Sequence, residues 1–190
     1  DLIAMKQKYG AFLLVDEAHA LGSVGQTGRG ICEDQGIDPA DIDILTGSLS
    51  KGIPSSGGFV AGSRGLKIYI QHGSAPYMFS AAMTPANAAA SLEALRIVQE
   101  EPIHMERLRR NTAILKHGLT ELGFDIGAST TPVLPLLLGD EFRAYRVARE
   151  MLDRGIFVTP VVYPAVSPGQ ARLRLCATAA HEPEHFERLF

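Results

Sequence analysis

Two stretches of this sequence could do chemistry together. Lys51 follows a run of small residues, Gly47-Ser48-Leu49-Ser50, and 35 positions before it an apolar run closes on Asp16-Glu17-Ala18-His19. A lysine amine becomes a nucleophile toward aldehydes when it is desolvated or set beside another cation, because its pKa falls readily. An aspartate set against a pyridine nitrogen keeps that nitrogen protonated, so the ring can take up electrons released at a neighbouring carbon. Lysine on a small-residue loop, a strand-end aspartate and a histidine three residues further on are what a pyridoxal phosphate site requires. Ser48, three residues before Lys51, adds a hydroxyl suited to a phosphate oxygen.

Each of these residues has an ordinary alternative. A single lysine among glycine and serine is usually solvated surface, and an aspartate at a strand end is commonly a turn former. Context weighs against both, since the apolar runs 11–16 and 42–46 each end at one of these polar clusters. Ligands of open α/β sheets sit outside the carboxyl ends of the strands. Leu13-Leu14-Val15-Asp16-Glu17-Ala18-His19 also reads as the acidic strand end of a nucleic-acid helicase, with Asp16 and Glu17 on Mg²⁺. That reading fails because the chain has no G-x-x-x-x-G-K-[ST] loop. Moreover, 18 Lys and Arg against 21 Asp and Glu give a formal net charge of -3, without the basic footprint of a nucleic-acid groove.

The elements that must position these groups follow from periodicity. Short apolar runs predict strands at 11–16, 42–46 and 57–61, the pattern of a sheet covered on both faces. Residues 1–10 read as an amphipathic helix with Leu2, Ile3 and Met5 on its apolar side, stopped by Gly10. A helical turn is expected at 64–72. A long helix is expected at 84–100, opened by Thr84-Pro85, and another at 103–121 after Pro102. Strands at 132–138, 155–159 and 171–176 alternate with helices at 141–154 and 182–190, which predicts helices on one side of an antiparallel sheet. The boundary between these two patterns is placed at 100–103.

At 190 residues and 46% hydrophobic, the chain can bury a substantial core. No apolar stretch reaches the roughly 18 to 20 residues of a membrane span. Cys32 and Cys176 stand alone, so neither a disulfide framework nor a metal site is indicated. A cytoplasmic protein is the expectation. Because the sequence opens in the last turns of a helix and without Met, further strands of the first sheet are expected upstream.

Asp16-x-x-His19, the Gly28-Arg29-Gly30 turn, Ser48-Leu49-Ser50-Lys51 and the segment from Ala171-Arg172-Leu173-Arg174 to His181 occur in the order seen in α-oxoamine synthases. The chain resembles this family across nearly its whole length. The resemblance implies an α/β fold: the second half of an aspartate-aminotransferase-like large domain over 1–101, followed by a small α+β C-terminal domain over 102–190. It implies a pyridoxal 5'-phosphate enzyme that condenses an amino acid with an acyl-CoA, usually with loss of carbon dioxide, and releases coenzyme A. Lys51 would carry the cofactor and move the α-proton. Asp16 would meet the pyridine nitrogen, His19 the ring oxygen and Ser48 the phosphate. Ser80 would reach the phosphate held by a partner subunit, implying a homodimer with shared sites, although Ala81 and Ala82 stand where the family often has further hydroxyls. Without that role, Ser80 would be a helix-entry cap. Arg172 would grip the amino-acid carboxylate through bidentate hydrogen bonds, with Arg174 on the same strand face. Another enzyme of the same fold, such as an aminotransferase, and a non-catalytic partner subunit are the rival readings.

Overall fold

A computed structural model describes all of residues 1–190. The chain divides into two compact units, Asp1–Met105 and Glu106–Phe190, which part inside one long helix.

In the first unit, β1 (Leu14–Asp16), β2 (Ile44–Ser50) and β3 (Pro54–Gly62) form a sheet of order β1-β2-β3. β1 and β2 run parallel, with Asp16 opposite Thr46, and β3 returns antiparallel to β2. β1 is shorter than the apolar run suggests because upstream backbone amides are used elsewhere. Ala11 N–H donates to the Lys6 carbonyl at 3.1 Å, closing helix α1 (Leu2–Tyr9), and Leu13 N–H donates to the Asp43 carboxylate at 2.8 Å. β2 is longer than expected: Gly47-Ser48-Leu49-Ser50 is strand, not loop. Two further expectations are corrected. β1 is exposed at Leu14, so the apolar run does not mark a strand covered on both faces within this unit. Helix α1 buries nothing, and Leu2 and Met5 are largely exposed.

The remaining helices of this unit start where their caps dictate. Short α2 covers Ile31–Gln35, and α3 (Arg64–Gly73) begins after Ser63, whose hydroxyl accepts from Leu66 N–H at 3.1 Å. Then come α4 (Ala75–Phe79) and α5 (Pro85–Glu100), the latter capped by Thr84 with Pro85 in its first turn. α6 (Ile103–Glu121) carries the chain into the second unit.

That unit holds β4 (Val133–Gly139), α7 (Glu141–Asp153), β5 (Thr159–Val161), β6 (Ala171–Cys176) and α8 (Pro183–Leu189), with all strands antiparallel in the order β4-β6-β5. Leu134 faces Leu175 and Leu136 faces Leu173 across the β4–β6 ladder, and all four are buried together with Leu115, Leu119, Ala148 and Phe186 from the helices. The opposite sheet face carries Arg172 and Arg174, which pair with Leu137 and Pro135. β5 begins at Thr159 rather than 155, because the Gly155 and Ile156 amides bond to Leu152 and Met151 carbonyls and close α7. Leu173 is 1% exposed. Leu173→Ala is therefore expected to destabilise this unit by about 2–5 kcal/mol in urea unfolding, whereas Leu137→Ala on the other face should cost well under that.

Candidate active site

The first unit gathers four of the expected site residues at one end of its sheet. Asp16 is the last residue of β1, and Lys51 is the first residue after the neighbouring parallel strand β2. Both are exposed. The Asp16 Oδ1 accepts the Ala18 amide at 2.8 Å, which turns the chain at the strand end just before His19. His19 is exposed, and its carbonyl accepts the Ser23 hydroxyl at 2.6 Å.

Ser48 lies within β2, where the β2–β3 register shifts between Ser48 and Ser50. The irregularity sets the two hydroxyls 2.8 Å apart, and Ser50 N–H donates to Ser48 Oγ at 3.2 Å. Asp16, Ser48 and Lys51 thus follow one another toward and beyond the carboxyl end of a parallel pair, β2 running four residues past the level of Asp16; a carboxylate, hydroxyls and a primary amine are the group types suited to a pyridine ring bearing a phosphate and an aldehyde. A hollow of about 600 Å³ in this unit, lined by Phe12, Ile42, Asp43, Ala61 and Leu66, lies where β2 begins and β3 ends. It is at the other end of the sheet from Lys51.

Ser80 is exposed at the C-terminal end of α4, separated in sequence from this cluster. It does not open a helix. That role belongs to Thr84, whose hydroxyl accepts the Asn87 amide at 3.3 Å.

In the second unit, Arg172 is half-buried on β6, with Nε donating to the Gln170 carbonyl at 3.0 Å and Nη2 to Gln170 Oε1 at 3.4 Å. Arg174 lines a cavity of about 470 Å³ together with Cys176, His181, His185, Phe186 and Arg188. Burial, and then the neighbouring His185, push the His181 imidazole pKa down, which favours its neutral form. The turn after β6 is fixed from α6. Asn111 is 1% exposed, and its Nδ2 donates to the carbonyls of Thr178 at 2.9 Å and His181 at 2.8 Å.

Two residues that matter to this geometry escaped the sequence reading. Glu17 was legible only as the second acid of a rival motif, yet its carboxylate is buried and accepts the Ile31 amide. Period-2 alternation carries the signal, since the residue after an exposed strand-end aspartate points to the opposite side. Gly52 looks like one more small residue, but a Cβ there would collide with the Leu21 carbonyl oxygen.

The family model for aminotransferase class I and II matches residues 1–190. The chain is 42% identical over 188 residues to 8-amino-7-oxononanoate synthase 1 of Bacillus subtilis and 37% identical over 188 residues to a serine palmitoyltransferase of Bacteroides ovatus. In both cases it covers 99% of this chain and 48% of the relative. Among solved structures, the serine palmitoyltransferase of S. paucimobilis with a bound PLP–myriocin aldimine superposes with a TM-score of 0.92 at 31% identity, over 99% of this chain and 48% of that one. The chain thus spans about half the length of the curated relatives it matches. It belongs to the aminotransferase class I and II family, and its relatives there are α-oxoamine synthases.

Proposed function

We propose that this chain is part of a pyridoxal 5'-phosphate-dependent acyltransferase that joins an amino acid to an acyl-CoA and releases coenzyme A. The first unit then belongs to the cofactor-binding large domain and the second is the small C-terminal domain. The observation that carries the proposal is the placement of Asp16 and Lys51 at the carboxyl ends of two neighbouring parallel strands. The relatives are named as a synthase and a palmitoyltransferase, and solved relatives hold PLP. When bound, the cofactor supplies an electron sink that stabilises negative charge at the substrate α-carbon.

The residues divide the work. Lys51 Nζ would hold the cofactor covalently and would take and return the substrate α-proton. Asp16 holds a proton on the ring nitrogen through its negative charge, and His19 orients the ring oxygen. Ser48 donates its hydroxyl to the phosphate, with Ser50 close enough to share that task. Ser80 serves the site of a second subunit, so the protein acts as a homodimer. No helix is long and apolar enough to cross a membrane. The direct test is free thiol release when purified protein is given an acyl-CoA with glycine, alanine or serine. Thiol release independent of the amino acid would refute the condensation.

The carboxylate clamp admits a second reading. Arg172 matches the family position first, but Gln170 engages its guanidinium, while Arg174 on the same strand face lines the cavity. A bidentate charge-assisted pair contributes about 1.5–3 kcal/mol, so the true clamp replaced by leucine should raise the amino-acid KM about ten- to hundred-fold with little change in the acyl-CoA KM. A rise confined to Arg174→Leu assigns the clamp to Arg174. A rise confined to Arg172→Leu assigns it to Arg172.

A further inference from the structure

Glu17 is 3% exposed, a rare position for a carboxylate. Both its oxygens accept the Ile31 amide, at 2.9 and 3.0 Å. They can do so because residue 30 is glycine, with φ at 93°: a Cβ there would collide with the Glu17 carboxylate itself. The bond closes the segment from Glu17 to Ile31 into a loop. Gly22 N–H donates to the Gly28 carbonyl at 2.8 Å and Gly30 N–H to the Val24 carbonyl at 3.0 Å inside it. A second carboxylate, Glu33, braces the outer turn by accepting from the Thr27 amide and hydroxyl and the Arg29 amide.

The inner edge of this loop bears on the residue after Lys51. Gly52 lies so close to Leu21 and Gly22 that its missing side chain is what admits the contact: a Cβ would strike the Leu21 carbonyl oxygen and stand 3.3 Å from the Gly22 Cα. Ile53, next in the chain, is 0% exposed and cannot give way outward. The backbone carrying Lys51 is therefore held between a buried anchor and a loop that the Glu17–Ile31 bond joins at its two ends. Asp16, the residue before Glu17, belongs to the same continuous piece of backbone.

We infer that Glu17 is a positioning residue for Lys51: by closing the 17–31 loop against Gly52 it fixes where the lysine stands relative to Asp16. This rests on Lys51 being the cofactor amine.

The test reads the backbone and the amine separately. In Glu17→Ala, amide hydrogen exchange at Gly22 and Gly30 is expected to quicken about tenfold or more, as befits loss of a buried hydrogen bond that closes the loop. The Ser50 and Ser55 amides flanking Lys51 should quicken with them, while Leu66 and Lys67 in the first turn of α3 stay at the parental rate. Acceleration at Gly22 and Gly30 without any at Ser50 and Ser55 overturns the inference. If Glu17→Ala does not fold, Gly52→Ala approaches the same contact from the other side and must quicken Gly22 and Gly30. Parental rates there also overturn it. Glu17→Gln keeps an acceptor for Ile31 and should remain near parental.

The second readout is borohydride fixation of pyridoxal phosphate, mapped by peptide mass, with Lys67 as reference. Fixation at Lys51 should fall about tenfold in Glu17→Ala, and coupled exchange with undiminished fixation overturns the positioning role. A parental protein that fixes no more cofactor at Lys51 than at Lys67 instead refutes the proposed function, and the exchange data alone then decide the loop coupling.

Discussion

Lys51→Ala is expected to bring amino-acid-dependent thiol release down to background while leaving the fold in place. The two parts of that expectation come from different observations. An aldehyde can be held covalently only by a primary amine that is able to lose its proton, and alanine has none. Lys51→Arg should fail equally, because guanidinium stays protonated at any working pH. The fold should survive because Lys51 is exposed and follows the strand rather than pairing within it. A circular dichroism spectrum and melting temperature at parental values, together with absent thiol release, fulfil the expectation. Thiol release at the parental rate by the alanine protein would remove Lys51 from the site.

Lys51 stands out in the sequence because the chemistry proposed for it is local: one residue type, on a short segment, after a recognisable apolar run. The fold was legible where a single pattern decides an element. Thr84-Pro85 starts α5 where capping and fixed φ require, and β6 covers Ala171–Cys176 because leucine and arginine alternate with period two. It was illegible where a backbone amide had a choice of partner. Ala11, Leu13 and Ile156 each bond outside the ladder, to a helix end or a side chain, and so trim β1 and delay β5. Apolarity was also a poor guide to burial in the first unit. Phe12 and Leu14 read as core but are 87% and 57% exposed.

The contrast between Glu17 and Asp16 follows the same division. Asp16 declares itself by standing at a strand end. The role of Glu17 depends on an amide 14 residues away, and that of Gly52 on a carbonyl 31 residues before it. Such partners are supplied by tertiary closure of a loop, which no local periodicity encodes.

Asp16→Asn separates charge from shape at the strand end. Asparagine keeps an Oδ1 that can accept the Ala18 amide, so the turn leading to His19 should persist. What disappears is the formal negative charge that would hold a proton on the ring nitrogen. Opposite charges about 4 Å apart at an effective dielectric constant near 20 attract by about 4 kcal/mol, and exposure of Asp16 to solvent reduces this. A loss of about 3–4 kcal/mol in the step that places charge on the ring corresponds to a fall in kcat of about 10²- to 10³-fold. The amino-acid KM should change little, because the proposed carboxylate clamp, Arg172 or Arg174, lies on β6 and is not altered. Turnover measured at saturating amino acid and acyl-CoA, with retained fixation of cofactor at Lys51, is the decisive combination. If Asp16→Asn turns over at the parental rate, the carboxylate serves only to bend the chain after β1, and the electron sink must be maintained by another group.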